Sequence, residues 1–200
     1  MSKHEEIWDK VLNIKTTGMD DSNSDQYRYP YEPTPYLVLE QLANSALIKK
    51  DDVILDYGCG KGRVGFFLSY QTRAKSIGIE YDERIYASAI ENQQNAFSSN
   101  RVKFLKQNAE DYEVSSEVNR CYFFNPFSIE LFQKVMARII MSYYLEPREI
   151  LLFFYYPSLE YISYLMTLAE LEFMDEIDCR DLSNKNDNRE RIMIFRLGSV

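Results

Sequence analysis

Hydrophobic positions along this chain fall into short unbroken runs, and each run ends on a polar or glycine-rich break. The sharpest is Val53-Ile54-Leu55, which leads to Asp56 and then to Gly58, Gly60 and Gly62 before the apolar pattern resumes at Val64, Phe66, Phe67 and Leu68. A strand without polar alternation belongs in a parallel sheet buried on both faces, so Val53 to Tyr70 reads as strand, tight glycine turn and helix. Further strands are expected from Ser76 to Glu80, around Val102 to Leu105, from Cys121 to Phe124 and from Ile150 to Tyr156. The last is the most apolar run and is expected centrally in the sheet. Asp82, Ser128 and Ser158 stand where helix caps are needed, opening helices with faces at Ile85, Ala89 and Ile90, at Leu131 to Tyr143, and from Leu159 through Ala169. Two late strands, around Phe173 to Cys179 and Ile192 to Leu197, flank a polar loop and read as an antiparallel hairpin. Seven strands, the first five separated by helices, imply right-handed parallel βαβ units. The expected fold is a three-layer α/β sandwich whose seven-stranded sheet is mostly parallel, with an antiparallel C-terminal hairpin.

The first 33 residues read differently. Helical spacing covers Ile7 to Ile14, a polar stretch runs from Thr16 to Asp25, and then Tyr27, Tyr29, Tyr31 and Tyr36 alternate with prolines. Thr34 and Pro35 look like an N-cap and first helical position, opening a helix with Leu37, Val38, Leu42 and Ala46 on its apolar face. Residues 1–33 are thus expected to be a helix plus a tyrosine-rich lid, and residues 34–200 the main domain.

Bulk properties narrow the chemistry. The 200 residues suit a single core. No run approaches the roughly 20 apolar residues of a membrane span, and the charged amino terminus lacks a signal core, so a cytoplasmic protein is expected. Cys59, Cys121 and Cys179 are widely spaced and odd in number, and His4 is the only histidine, which argues against a disulfide framework, a metal site and a Ser-His triad. Acidic residues outnumber basic ones by 31 to 23. That balance favours protein or small cationic partners over nucleic acid.

Glycines at the carboxyl end of a buried strand let a ligand approach the backbone, and that edge is where open α/β sheets bind ligands. Asp56-x-Gly58-x-Gly60-x-Gly62, Glu80 at the second strand end, Asn108-Ala109-Glu110 after the third and Asn125-Pro126-Phe127 after the fourth together resemble the class I S-adenosylmethionine (SAM) dependent methyltransferases, with a Rossmann-like fold. The resemblance covers about Thr34 to Leu197. It implies SAM as donor, with S-adenosylhomocysteine as product. It also implies that Asp56, Gly58, Cys59, Gly60 and Gly62 pass under the methionine part, and that Glu80, followed by Tyr81, serves the ribose. Asn108, Ala109 and Glu110 would then flank the adenine, although Asp111 is equally available. Asn125-Pro126-Phe127 is similar to the Asn/Asp-Pro-Pro-aromatic motif of amino-group methyltransferases but lacks one proline. By that likeness Asn125, Pro126 and Phe127 are the candidate catalytic residues.

Gly60-Lys61-Gly62-Arg63-Val64-Gly65 also satisfies a dinucleotide fingerprint. Asp56 at the strand tip weighs against it, because a carboxylate there repels a pyrophosphate but favours the sulfonium and ammonium of SAM. Methyl transfer is an in-line displacement that depends mainly on positioning in a dry pocket. Tyr29, Tyr31, Tyr36, Tyr155 and Tyr156 are candidates to close the site or to offer ring faces to a cation. The acceptor is expected to be a nitrogen of a small molecule or protein. A non-catalytic SAM-binding scaffold and a nicotinamide-dependent oxidoreductase are the alternatives.

Overall fold

All five residues of Val53–Tyr57 are buried, as an unbroken apolar run inside a sheet requires. In the computed structural model, which describes residues 3–19, 31–182 and 187–198, this strand is β1 near the middle of a seven-stranded sheet. The other strands are β2 (Lys75–Glu80), β3 (Val102–Lys106), β4 (Arg120–Phe123), β5 (Ile150–Tyr155), β6 (Leu171–Asp178) and β7 (Arg191–Leu197), in the order β3-β2-β1-β4-β5-β7-β6. The first five pair in parallel, and β7 runs antiparallel to both β5 and β6. The order reverses between β1 and β4, which is the topological switch point where such sheets bind ligands.

Period-two alternation divides the strand side chains between two cores. Ile54, Tyr122, Phe153 and Ile194 pack on one face with α1 (Lys3–Leu12), α2 (Tyr36–Asn44), α3 (Arg63–Thr72) and α4 (Glu83–Asn95). Leu55, Phe123, Phe154 and Phe195 pack on the other with α5 (Ile129–Leu145) and α6 (Leu159–Leu165). The result is the three-layer sandwich expected from the pattern. β5 is buried throughout and lies inside the sheet, between β4 and β7.

Several local expectations need correction. No α-helix joins β3 to β4; a 3-10 turn at Ala109–Asp111 and a loop cross over β2 and β1 instead. α6 stops at Leu165 rather than Ala169, because the next amides bond back in short turns, Thr167 to Tyr164 and Leu168 to Leu165, to reach β6. Thr34 does not cap α2. Its hydroxyl shares a 2.9 Å hydrogen bond with that of Tyr122, and Pro35 is the cap. Ala46 lies beyond α2 at a positive φ of 62° and is exposed. Asp82 and Ser158 do cap their helices, Asp82 accepting from the amides of Arg84 and Ile85 and Ser158 from that of Tyr161. α1 starts and ends earlier than the Ile7-to-Ile14 reading, and Tyr27 and Tyr29 lie outside the described residues.

Candidate active site

The loop after β1 is folded by short-range bonds. The amides of Gly58 and Cys59 both donate to the carbonyl of Ile79 at 3.0 Å, which draws the loop over the end of β2. Two glycines are forced by close approach as well as by backbone shape. Gly58 has φ +70° and an added Cβ would stand 2.6 Å from Pro126 Cβ; Gly60 has φ +56° and its Cβ would meet the ring of Tyr31 at 2.2 Å. Gly62 faces Phe104 in the core rather than the cavity.

A cavity opens at this edge, lined from all four strand ends. β1 contributes Asp56, Tyr57, Gly58 and Cys59, and β2 contributes Glu80, Tyr81 and Asp82. Gln107, Ala109 and Glu110 follow β3, and Tyr122, Phe124, Asn125, Pro126 and Phe127 belong to β4 and its loop. A fifth wall is the strap Tyr31-Glu32-Pro33-Thr34, preceding α2. Asn108 is exposed, donates to Asp111 at 3.1 Å and is not among the lining residues.

Two carboxylates dominate the electrostatics. Glu80 is 7% exposed; its oxygens accept from the amides of Gly60 at 3.0 Å and Asp82 at 2.9 Å. Burial pushes its carboxyl up, against the pull of those bonds. Asp56 is 3% exposed, and its Oδ2 has no hydrogen-bond partner. Burial first, and then the charge of Glu80, push the Asp56 carboxyl up to about 8. The thiol of Cys59 is pushed well up by burial, which fits a small wall residue and not a nucleophile.

The strap is fastened by groups far away in sequence. Arg63, the first residue of α3, donates to the Thr34 carbonyl at 3.1 Å and to the Thr16 hydroxyl at 2.7 Å, pairs with Glu5, and lies 4.3 Å from the ring centre of Tyr36. Tyr31 donates its hydroxyl to the Thr16 carbonyl at 2.6 Å, with the ammonium of Lys61 over its ring at 4.9 Å. Neither Arg63 nor Gln107 stood out in the sequence, although Gln107 holds the strand-end position the fold makes informative. Arg63 carried only the signal of following the last glycine.

The loop after β4 is arranged differently from the amine-facing geometry its sequence suggests. Asn125 sits at φ +38°, which asparagine tolerates; its side-chain amide donates to the Tyr156 carbonyl, and its Oδ1 accepts from the Ser158 amide at 3.1 Å. Pro126 packs on Gly58. Phe127 is 4% exposed and belongs to the α5-side core. Nor do Tyr155 and Tyr156 offer open ring faces: Tyr155 is buried and bonded to Glu190, and the guanidinium of Arg189 already covers Tyr156 at 4.2 Å.

A buried carboxyl with an unpartnered oxygen, a glycine loop and the acid that closes the next strand thus share the switch-point edge where open α/β sheets bind ligands. The family model of the methyltransferase domain matches residues 48–154, and the chain belongs to that family. The chain is similar to a protein-lysine N-methyltransferase of Saccharolobus islandicus, 28% identical over 87 residues, which are 43% of this chain and 54% of that protein. It thus spans about half the length of that curated relative. Among solved structures, an RNA methyltransferase from Salinibacter ruber in complex with S-adenosyl-L-homocysteine superposes with a TM-score of 0.61 at 16% identity, covering 84% of this chain and 95% of that one. A TehB-like SAM-dependent methyltransferase from Corynebacterium glutamicum gives 0.56 at 15% identity, covering 82% and 89%. Among the described residues, no helix is long and apolar enough to cross a membrane, and no group of three His, Cys, Asp or Glu is placed to hold a metal.

Proposed function

We propose that this protein methylates a nitrogen on a cationic acceptor, a protein side chain or a small amine, using SAM. The observation that carries the acceptor class is the charge of the cavity wall. Glu32, Asp82 and Glu110 line it beside the donor-side acids Asp56 and Glu80, and Arg63, the one guanidinium among its described lining residues, is already paired with Glu5 and Asp9. Such a wall attracts cations and repels a phosphate backbone. The name of the Saccharolobus relative supports the same class.

When bound, SAM supplies an activated methyl group on a sulfonium. The chain's own residues bind, orient and exclude water. Asp56 offers a free carboxylate oxygen to a cation, and Glu80, braced by backbone amides, faces the ribose end. Tyr81, Ala109, Glu110 and Gln107 form the adenine side. Asn108 serves there only by shaping the 3-10 turn that follows it. Asn125, holding the β4 and β5 loops together, and Pro126, packed on Gly58, set the acceptor wall, with Phe124 as its partly exposed ring. The N-terminal segment to residue 33 closes the cavity through Tyr31 and Glu32. The three unpaired, buried thiols fit a reducing cytoplasm.

The deciding experiment is methyl transfer from labelled SAM to lysine-containing peptides, free amines and RNA in parallel. Label on peptide or amine is expected. Label on RNA alone would overturn the acceptor class, and failure of SAM and its product to bind in calorimetry would overturn the enzyme's donor site.

A further inference from the structure

Among the described residues, nothing provides a counter-ion for the buried carboxyl of Asp56. The groups around it come from five elements. On its own strand and loop stand Tyr57 and Cys59; Glu80 ends β2, Tyr122 lies on β4, Tyr31 on the strap and Arg63 on α3. Burial holds the Tyr57, Cys59, Tyr122 and Tyr31 groups neutral by pushing them up. Glu80 is a second acid whose oxygens are held by backbone amides. Arg63 is the single cation among the described lining residues, and it is engaged by Glu5, by Thr16 and by the Thr34 carbonyl, with Asp9 of α1 at 3.9 Å beyond. An ionised carboxyl with no partner in such a place is strongly disfavoured, and the group neutralises itself by taking up a proton. The upward displacement of Asp56 to about 8 has this cause.

We infer that the cationic donor trades places with a proton at Asp56: the ligand-free cavity holds a neutral carboxyl, and SAM binding expels that proton to solvent and leaves a carboxylate facing the ligand's cationic end. The inference rests on reading this cavity as the SAM site. Its balance is simple, since one O–H bond breaks, the proton goes to buffer, and no electron moves. The exchange also makes Asp56 a determinant of specificity. A neutral thionucleoside of the same shape leaves the proton in place and gains nothing from the carboxyl, whereas S-adenosylhomocysteine, which keeps the ammonium, still displaces it.

Calorimetric titration of the whole chain at pH 6.5, in buffers of small and large ionisation enthalpy, reads the exchange without any turnover. About one proton released per SAM is expected, with affinity rising about tenfold between pH 6 and pH 7. 5′-Methylthioadenosine is expected to bind with no release. Asp56→Asn, which mimics the neutral carboxyl and so keeps the fold, is expected to bind SAM more weakly and with no release. A SAM binding heat that is the same in all buffers overturns the exchange while leaving the SAM site standing. Absence of SAM binding removes the site reading itself, and the exchange with it. The wild-type measurement decides even if the variant fails to fold.

Discussion

The loops after β1 and β4 leave neighbouring strands on the same sheet edge and touch each other through Gly58 and Pro126, yet they are built on opposite plans. The β1 loop keeps its chemistry open, with Asp56 Oδ2 buried without a partner and amides fixed by Ile79 and Glu80. The β4 loop closes on itself: Asn125 bonds to the β5 loop at both ends of its side chain, and Phe127 is in the core. Unsatisfied buried polar groups are costly, so Asp56 Oδ2 leaves the β1 loop an acceptor for a ligand, while the polar atoms of the Asn125 side chain are already used within the protein. The donor half therefore carries its specificity in side chains. On the function proposed above, the acceptor half carries it in the shape and charge of walls contributed by the strap.

The sharpest way to break the donor half is Gly60→Val. The new side chain requires a left-handed φ that β-branched residues avoid, and it meets the Tyr31 ring. Loss of SAM and S-adenosylhomocysteine affinity by at least roughly 100-fold is expected in calorimetry. Near-normal affinity would show that the loop and strap shift freely, and would remove the close approach as a reason for the glycine.

Asp56→Asn comes next, read through stability. Burial, and then the charge of Glu80, push the folded carboxyl up from its ordinary 3.8 to about 8, so the protonated form is the one the fold favours. That contribution is fully present below about pH 4 and is lost as pH rises toward 8. The ligand-free variant is thus expected to gain on the wild type as pH rises, by a few kcal/mol at pH 8. Urea denaturation at pH 5 and pH 8 measures it. A gap that is constant with pH would mean that Asp56 finds a partner in solution.

Glu80→Ala tests the other carboxylate. It removes the acceptor for the Gly60 and Asp82 amides, and with it a charge-assisted bond to the ligand worth about 1.5 to 3 kcal/mol. Roughly 10- to 150-fold weaker SAM binding is expected. Unchanged affinity would confine Glu80 to bracing the loop.

The same contrast explains what could be read from sequence. β1 and β5 were legible because burial on both faces leaves unbroken apolar runs, β2 showed through Ile77 and Ile79, and the strand ends Asp56 and Glu80 followed from them. Arg63 and Thr34 were not legible as site residues. Their partners lie in other elements: Glu5 and Thr16 for Arg63, and Tyr122 for Thr34. Such pairings exist only after the N-terminal segment docks. The length of α6 was misread for a related reason: Met166 to Ala169 continue a helical pattern, but the chain must turn there to reach the sheet edge. Asn125 shows the limit of motif reasoning, since its residue type fits a substrate role, a left-handed turn and an inter-loop clamp equally well.

Those roles separate in a comparison of Asn125→Asp with Asn125→Ala. If Asn125 accepted a hydrogen bond from the acceptor nitrogen, aspartate would substitute well, as the likeness to the Asn/Asp motif implies. As a clamp it requires an N–H donor toward the Tyr156 carbonyl and an oxygen toward the Ser158 amide, and aspartate supplies only the second. The carboxylate would also set an oxygen against the carbonyl of Tyr156 where the amide now donates. Both variants are therefore expected to lose about 1 kcal/mol of stability, with aspartate no better than alanine, and to bind S-adenosylhomocysteine as the wild type does. Paired urea denaturation and calorimetry measure both effects. Wild-type stability in Asn125→Asp, together with full methyl transfer, would return Asn125 to the substrate and make the β4 loop as open as the β1 loop.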